Sequence, residues 1–520
     1  MGRAVRRLVA VSALLIVGAA WLGQTAPYGV AGASRASRSQ KVLRYYQNLH
    51  RSQHDRFVKS LQDLAAWCEA RGLVEAAAEV RRSIRPFDPD RVEMESLPEK
   101  VQPPIDSTQP EEHREWRMRL RRLRKQYARD VYFLSRRVLR AGFPSYAYAL
   151  VRQVAQADPD HEAARRLLGF ERYGDRWVTP FTASMLRRGY VWHERFGWLP
   201  EKHVARYEQG ERYFRGWIDA KKEAELRRDF RHAWQVRTDH YLVKTNHSLE
   251  AGVKLARALE EFYRFFRQTF IAFFNTPEQM QKLFEGGRTS RSRRRIQKPH
   301  TVHFYRVRSQ YVEQLRDRIP QIEITNGLYL PDDRIIYTFY NPDPEADMRG
   351  TLFHEATHQL LYESQSRDRP IANDANFWAV EGIACYMESA QLGPKGLVAG
   401  DPRYIRFQTA RYRYLEEGFY IPLARFVRMS KTEIQHHPEI GKIYTQASGL
   451  AYFFMHYDGG RYRDAFIEHL SQIYNADPRR RHRVASLAEL TGVSFDELDQ
   501  QYGEFLRSLP SMIPPGAVIE

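Results

Sequence analysis

Residues 350–389, GTLFHEATHQLLYESQSRDRPIANDANFWAVEGIACYMES, set two polar clusters in apolar helical patterns. In the first cluster, His354 and His358 are four residues apart, with Glu355 between them. Residues four apart lie on one face of an α-helix, about one turn from each other. In the second cluster, Glu381 stands among apolar and aromatic residues. A fold for this chain must therefore hold imidazoles and carboxylates in largely apolar surroundings.

The pentapeptide HEATH has the spacing of a zinc-binding helix, which we predict over residues 347–363. Two neutral imidazoles and a third protein ligand would leave one position of a zinc ion open to water. Bound zinc lowers the pKa of that water to about 7, and a neighbouring carboxylate can take its proton. We therefore predict that His354 and His358 are zinc ligands and that Glu355 is the general base. The alternative is a surface helix with two ordinary histidines.

The third ligand can be argued from the remaining carboxylates. Glu363, Asp368 and Asp374 belong to a polar helix end and loop, where we expect water to solvate them. Glu381 lies within FWAVEGIACYM, and a charge among such neighbours carries a desolvation cost that a cation would offset. We predict that Glu381 is the third zinc ligand. Glu388, two turns further along the same helix, is a candidate to hydrogen-bond a ligating histidine.

The combination of HEATH with W-x-x-E-G-x-A, residues 378–384, resembles the gluzincin zinc metallopeptidases. It is most similar to the peptidase MA-like domain proteins, exported bacterial proteins whose substrates are mostly unknown. The similarity covers roughly residues 230–475. It implies the same zinc ligands and general base, and a zincin-like α+β fold with a small sheet over the HExxH helix and a helical lower lobe.

Two departures from the family pattern narrow the expected activity. No G-x-M-E-N motif precedes the helix, so an endopeptidase or a restricted hydrolase is favoured over an aminopeptidase. Cys385 occupies the position at which thermolysin-like enzymes have a histidine-orienting aspartate. The family's Tyr-x-Gln segment is similar to residues 444–446 and implies that Tyr444 donates to the oxyanion, although a core tyrosine is an equal alternative. His456 is interpreted as a satisfied core or helix-end histidine.

The N-terminus has the pattern of an export signal. Arg3, Arg6 and Arg7 precede an apolar run, and a small-x-small site follows at residues 31–33. We predict that residues 1–33 are a signal peptide or an uncleaved membrane anchor. The chain is then exported, and is periplasmic, extracellular or anchored facing outside.

The length of 520 residues predicts more than one folded unit. Helical periodicity predicts a mostly helical region over residues 40–228, interrupted by a Pro-rich linker at residues 87–112. This region is either a partner-binding arm of tetratricopeptide-like helices or a cap on the next unit. Residues 229–510 are predicted to form the peptidase domain.

Strand-like alternation marks the start of the peptidase domain. It occurs in HAWQVRTDHYLVKTN, residues 232–246, and in HTVHFYRV, residues 300–307. Ser248 or Asn246 is suited to cap the long amphipathic helix that follows the first of these segments. The sequence Pro-Asp-Asp at residues 331–333, between two apolar stretches, predicts a hairpin turn.

Charge and cysteine content exclude few functions. The net charge of +18 is concentrated partly in residues 288–298 and 479–483, which are either solvated basic loops or contacts for a polyanion. Neither run belongs to a recognisable nucleic-acid-binding module, so no specific nucleic-acid partner is predicted. Cys68 and Cys385 are the two cysteines, and we expect both to be unpaired.

These observations together predict a zinc-dependent hydrolase that cleaves peptide bonds in peptides or proteins, in an endopeptidase-like manner. One alternative is an envelope scaffold or partner-binding protein with an inactive metallopeptidase-like domain. The other is a metal hydrolase acting on a non-protein amide or ester. The sequence does not determine the oligomeric state.

Overall fold

The computed structural model describes residues 31–88, 92–286, 298–343, 348–364, 370–393, 396–475 and 484–513. Residues 1–30 of the predicted export segment lie outside these ranges, as do nearly all of the first basic run and the whole of the second. Among the described residues, no helix combines the length and apolar character needed to cross a membrane.

The N-terminal region begins with helices, as predicted. Helices α1 and α2 pack as one pair, α3 and α4 as another, and α1 joins the two pairs by packing on α3. Cys68 is buried between α1 and α2, and both cysteines are free thiols. The helices are α1 (Ala31–Glu69), α2 (Val74–Arg82), α3 (Glu111–Arg140), α4 (Pro144–Ala157) and α5 (Glu162–Leu167).

Three successive β-hairpin–helix units follow, so the prediction of helices throughout this region was incomplete. Gly169, Gly189 and Gly210 precede the three units with φ angles of 89°, 75° and 92°, a backbone region that glycine adopts without steric cost. Each strand has only three or four residues, too few for an alternating pattern to be recognised in the sequence. The units are β2 (Glu171–Tyr173), β3 (Arg176–Val178) and α6 (Pro180–Arg187); β4 (Tyr190–His193), β5 (Gly197–Pro200) and α7 (Val204–Glu208); β6 (Glu211–Tyr213), β7 (Trp217–Asp219) and α8 (Ala220–Leu226).

The predicted linker contributes a strand to the second half of the chain. Strand β1 (Val92–Glu95) pairs antiparallel with β14 (Gly396–Ala399), which also pairs with β13 (Gln391–Leu392). The side chain of Arg152 donates to the carbonyl of Glu95 at 3.0 Å. These contacts tie the N-terminal helices to the rest of the protein and favour the cap interpretation over a free arm.

A five-stranded mixed sheet has the order β11-β12-β10-β9-β8. Strand β10 runs parallel to both of its neighbours, and the two outer strands are antiparallel. The predicted strands and the hairpin turn at residues 331–333 are confirmed. The strands are β8 (Trp234–Arg237), β9 (Tyr241–Thr245), β10 (His300–Tyr305), β11 (Gly327–Leu330) and β12 (Ile335–Phe339).

Two helices, α9 (Leu249–Thr269) and α13 (Met348–Glu363), pack on this sheet and on each other. Ser248 caps α9 by accepting a hydrogen bond from the backbone N–H of Ala251 at 3.1 Å, as the sequence predicted. Phe262 of α9 stacks on Phe353 of α13 with ring centroids 4.4 Å apart. The shorter helices between them are α10 (Ile271–Phe274), α11 (Pro277–Phe284) and α12 (Arg308–Leu315).

The remainder of the described chain is helical and surrounds α14 (Phe377–Met387), in which every residue is buried. Helix α14 packs between α13 and α18. The other helices are α15 (Ile405–Leu415), α16 (Leu423–Phe426), α17 (Lys431–Gln435), α18 (Ile440–Gly460), α19 (Arg463–Asn475), α20 (Leu487–Thr491) and α21 (Phe495–Ser508). The protein is therefore a mixed α+β structure, as predicted.

Gly382 sets the distance between α14 and α18. A β-carbon added at Gly382 would lie 2.6 Å from the backbone oxygen of Ala447 in α18, closer than carbon and oxygen approach without overlap. We expect Gly382→Ala to lower the free energy of unfolding by about 1–3 kcal/mol, the usual cost of overpacking. Urea denaturation measures this change.

Gly441→Ala is the matched control, because a β-carbon at Gly441 of α18 meets no atom within 4 Å. Alanine there is expected to keep or raise stability by up to about 1 kcal/mol, through its higher helix propensity. Equal stabilities of the two variants would contradict the proposed role of Gly382.

Candidate metal centre

Three ligand atoms from α13 and α14 converge in the core. The Nε2 atoms of His354 and His358 are 3.1 Å apart, one turn from each other on α13. Oε2 of Glu381 lies 3.6 Å from Nε2 of His354 and 3.7 Å from Nε2 of His358. The two imidazoles and the carboxylate predicted from the sequence are thus brought together.

These distances fit one tetrahedral ion. Two ligands about 2.1 Å from a zinc ion, at a tetrahedral angle, lie about 3.4 Å from each other. Glu381 is 7% exposed, and its Oε2 has no hydrogen-bond partner among the described residues. A buried carboxylate oxygen without a donor is costly unless a cation satisfies it. The residues present therefore suit a zinc ion bound by His354, His358 and Glu381.

The charges around the cluster favour a cation. Burial alone would raise the pKa of Glu381, but the imidazoles of His358 and His354 outweigh it and hold the pKa of this carboxyl well below its usual range. Burial opposes a charge on His354, yet its polar contacts with Cys385, Glu381 and Glu388 raise the pKa of that ring. The carboxylates around His354 thus stabilise positive charge at this point.

Glu388 orients His354 from the side opposite the convergence point. Its Oε1 lies 2.7 Å from Nδ1 of His354, the contact that the sequence analysis anticipated. Its Oε2 accepts hydrogen bonds from Nε of Arg406 at 2.6 Å and from the hydroxyl of Tyr404 at 3.1 Å. Burial opposes the charge of Glu388, but Arg406 and His354 outweigh it and lower its pKa to about 2. A charged Glu388 fixes the proton of His354 on Nδ1 and leaves Nε2 available to a metal.

Glu355 lies beside the cluster without being one of its three converging groups. It is buried, and its Oε2 accepts a hydrogen bond at 2.7 Å from the backbone N–H of Tyr329 in the edge strand β11. Burial raises the pKa of this carboxyl above its usual value, despite the opposing effect of the two imidazoles. A raised pKa makes a carboxylate a better proton acceptor.

Tyr444 presents an unsatisfied hydroxyl to the same region. The residue is buried in α18, and its hydroxyl has no hydrogen-bond partner among the described residues. Burial, followed by the nearby charge of Glu381, raises the pKa of this phenol, so the hydroxyl keeps its proton. A neutral, unpartnered hydroxyl is suited to donate to a ligand. It reaches this position because α14 and α18 approach closely at Gly382.

Two further histidines of the second half of the chain, His456 and His300, have local partners. Nε2 of His456 lies 2.8 Å from the hydroxyl of Tyr386, which agrees with a satisfied core histidine. His300 pairs with Glu363 at 2.8 Å. The prediction that water solvates Glu363 was therefore wrong. Helix α13 ends against the sheet and brings this residue to His300 of β10.

A second group of possible ligands, Asp239, His240 and Glu260, joins the β8–β9 turn to α9. Both oxygens of Glu260 already accept hydrogen bonds. Oε2 accepts from the hydroxyl of Thr238 at 2.8 Å and from the backbone of His240 at 3.0 Å, and Oε1 contacts the ring of His240 at 2.6 Å. These hydrogen bonds hold the β8–β9 turn against α9 and account for Glu260 and His240 without a metal ion.

The sequence analysis missed the residues that complete the surroundings of the cluster. It did not name Arg406 and Tyr404, which hold Glu388, or Tyr329, which holds Glu355 through its backbone. A positively charged residue near Glu388 was to be expected, since a buried carboxylate needs a partner. The choice of Arg406 among many arginines follows only from the packing of α15.

The fold and the cluster together define a mixed α+β protein with a buried His–His–Glu cluster whose side chains could hold a metal ion. A family model described as "Protein of unknown function (DUF1570)" matches residues 349–479. This range contains the three converging residues as well as Glu355, Glu388 and Tyr444. No curated protein and no solved structure matches the chain.

Proposed function

We propose that the protein is an exported zinc-dependent hydrolase that cleaves peptide bonds, with a zincin-like domain and an endopeptidase-like mode of action. One observation carries the proposal. The two Nε2 atoms and the buried, unsatisfied Oε2 of Glu381 converge at the spacing of zinc ligands, beside the non-ligating Glu355.

Each side chain around the cluster is suited to one chemical role in such a hydrolysis. Zinc, when bound, polarises the scissile carbonyl and makes water acidic enough to attack at neutral pH. Glu355 takes the proton of the attacking water and passes it to the nitrogen of the leaving amine. The hydroxyl of Tyr444 donates a hydrogen bond to the developing oxyanion. Glu388 keeps the ring of His354 in the ligating tautomer.

The retention of Glu355 weighs against an inactive scaffold. A structural zinc site needs ligands and their hydrogen-bond partners, and Glu355 is neither. Its carboxylate is nevertheless buried and held by the backbone of Tyr329. Burying a carboxylate that binds no metal costs free energy, and a role in proton transfer would account for that cost.

Metal exchange tests the proposal. The purified protein is expected to bind about one zinc ion per chain and to cleave members of a mixed peptide library. A chelator should abolish cleavage, and zinc added back should restore it, because the ligands stay in place on their helices. Metal analysis and mass spectrometry of the digests provide the two measurements.

A folded protein that binds no zinc would contradict the metal assignment. A protein that binds zinc but cleaves no peptide, while hydrolysing esters or cell-wall amides, would retain the metal centre and reject the peptide substrate. Zinc that cannot be removed without unfolding, together with no hydrolysis of any substrate, would support the scaffold alternative.

A further inference from the structure

A cavity of about 730 Å³ that is open to solvent lies at the short helices α16 and α17. Its polar lining consists of Arg425, Arg428, Thr432, Glu433, His436 and His437. The lining therefore offers two guanidinium groups, two imidazoles and a hydroxyl against one carboxylate. All of these except the carboxylate can donate hydrogen bonds to an anion.

The single carboxylate of the lining is already engaged. Oε2 of Glu433 accepts a hydrogen bond at 2.7 Å from the backbone N–H of Ser430, as part of the capping box of α17. Arg425 interacts electrostatically with Glu433 at longer range, while Arg428 forms no ion pair with any described residue. Both arginines are exposed, so their guanidinium groups are accessible to a ligand.

The segment between α16 and α17, which lies next to the cavity, is joined by backbone hydrogen bonds to the residues just before α14. The carbonyl of Val427 accepts from the N–H of Asn376 at 2.9 Å, immediately before α14. The N–H of Lys431 donates to the carbonyl of Asn373 at 3.0 Å. The segment between α16 and α17 is thus fixed against the start of the helix that carries Glu381.

Lys431 extends the positive charge from the cavity towards the metal centre. Its Nζ lies 5.6 Å from the centre of the Phe377 ring, one turn before Glu381, and it interacts electrostatically with the Glu381 carboxylate. Lys431 forms no ion pair with any described residue. The Glu381 carboxylate is too distant to form an ion pair with this half-buried ammonium, and an anionic group of a ligand would stabilise it further.

We propose that the cavity at Arg425 and Arg428 is a substrate subsite that binds carboxylates, so that the hydrolase prefers peptides with a carboxylate on the side of the scissile bond facing α17. This inference rests on the proposed function. The carboxylate is supplied either by an acidic side chain or by the free C-terminus of the peptide. Both sources present the planar, two-oxygen group that a guanidinium recognises.

Three fluorescent peptides of equal length test the subsite. One has a pair of glutamates and an amidated C-terminus, one is neutral with a free C-terminus, and one is neutral and amidated. Binding is measured by anisotropy with the zinc-loaded Glu355→Gln protein, so that cleavage does not disturb the titration. We expect one or both carboxylate-bearing peptides to bind roughly tenfold or more tightly than the third, and the preference to weaken with salt.

Charge removal provides the control. Arg425→Gln with Arg428→Gln should abolish the preference. Arg316→Gln with Arg507→Gln, which removes two exposed arginines elsewhere, should leave it unchanged. Equal binding of all three peptides, or equal loss in both double variants, would overturn the proposal. If the wild type cleaves peptides without any carboxylate preference, the subsite is rejected and the proposed hydrolase activity is retained. If the protein binds carboxylate-bearing peptides selectively but hydrolyses none, the anion-binding cavity is retained and the hydrolase activity is rejected.

Discussion

Replacing Glu355 with glutamine is expected to reduce peptide hydrolysis by roughly 10²- to 10⁴-fold, while about one zinc ion remains bound. Glutamine has nearly the same shape and can still accept the hydrogen bond from the backbone of Tyr329. It cannot take a proton from water or deliver one to a leaving amine. Because Glu355 is not one of the three converging groups, its charge is not required to hold the metal.

Kinetics on any cleaved library peptide, together with metal analysis of the same preparations, measure this outcome. Glu363→Gln is the matched control, since Glu363 lies two turns further along α13 and pairs with His300 instead of facing the cluster. That variant should retain most of the wild-type kcat. Full activity of Glu355→Gln would rule out the assigned general base, and loss of zinc from it would show that Glu355 is a ligand.

Glu381→Gln is expected to weaken zinc binding by more than 100-fold, because it removes the only anionic group among the three converging residues. The neutral amide removes the carboxylate that would contact a divalent cation directly, in the core, where burial makes poorly paired charge most costly. Loss of an outer hydrogen-bond partner of a ligand costs about 10- to 100-fold, and the loss of a ligand should exceed this. Competition with a chromogenic chelator measures the affinity.

Glu388→Gln provides the graded comparison. Its carboxylate touches His354 through Nδ1, on the other side of the ring from the convergence point. We expect zinc affinity to fall by about 10- to 100-fold, which places this variant between the wild type and Glu381→Gln. A larger loss in Glu388→Gln than in Glu381→Gln would reverse the assignment of the two glutamates.

The sequence predicted those elements whose cause is local. Ser248 begins a helix because its hydroxyl can satisfy a free backbone N–H, and the turn at residues 331–333 is built from residues that prefer turns. Strand β1 could not be predicted in this way, because its partner β14 lies in the other half of the chain. The three short hairpins were missed although Gly169, Gly189 and Gly210 mark them at a regular interval.

The residues of the candidate site could be predicted where a charged side chain lies among apolar neighbours in the sequence. The apolar neighbours of Glu381 indicated that its charge needed a cation, and the helical spacing from Glu381 to Glu388 indicated a second carboxylate on the same face that could hydrogen-bond a ligating histidine. The position of Tyr444 beside the cluster depends on how closely α14 approaches α18, which the contact between Gly382 and Ala447 decides. The partners of Glu388 depend on the packing of α15, for which the sequence carries no local signal.

Because β1 pairs with β14, one small sheet contains strands from both halves of the chain. The N-terminal helices and β1 are synthesised long before β14, so β1 is already present when the second half of the chain folds. Contacts between residues so distant in sequence form late, since closing a long loop costs entropy before any contact repays it. The N-terminal half therefore covers one edge of β14, the strand that follows the helix carrying Glu381, and removing it would leave that edge unpaired and open to aggregation.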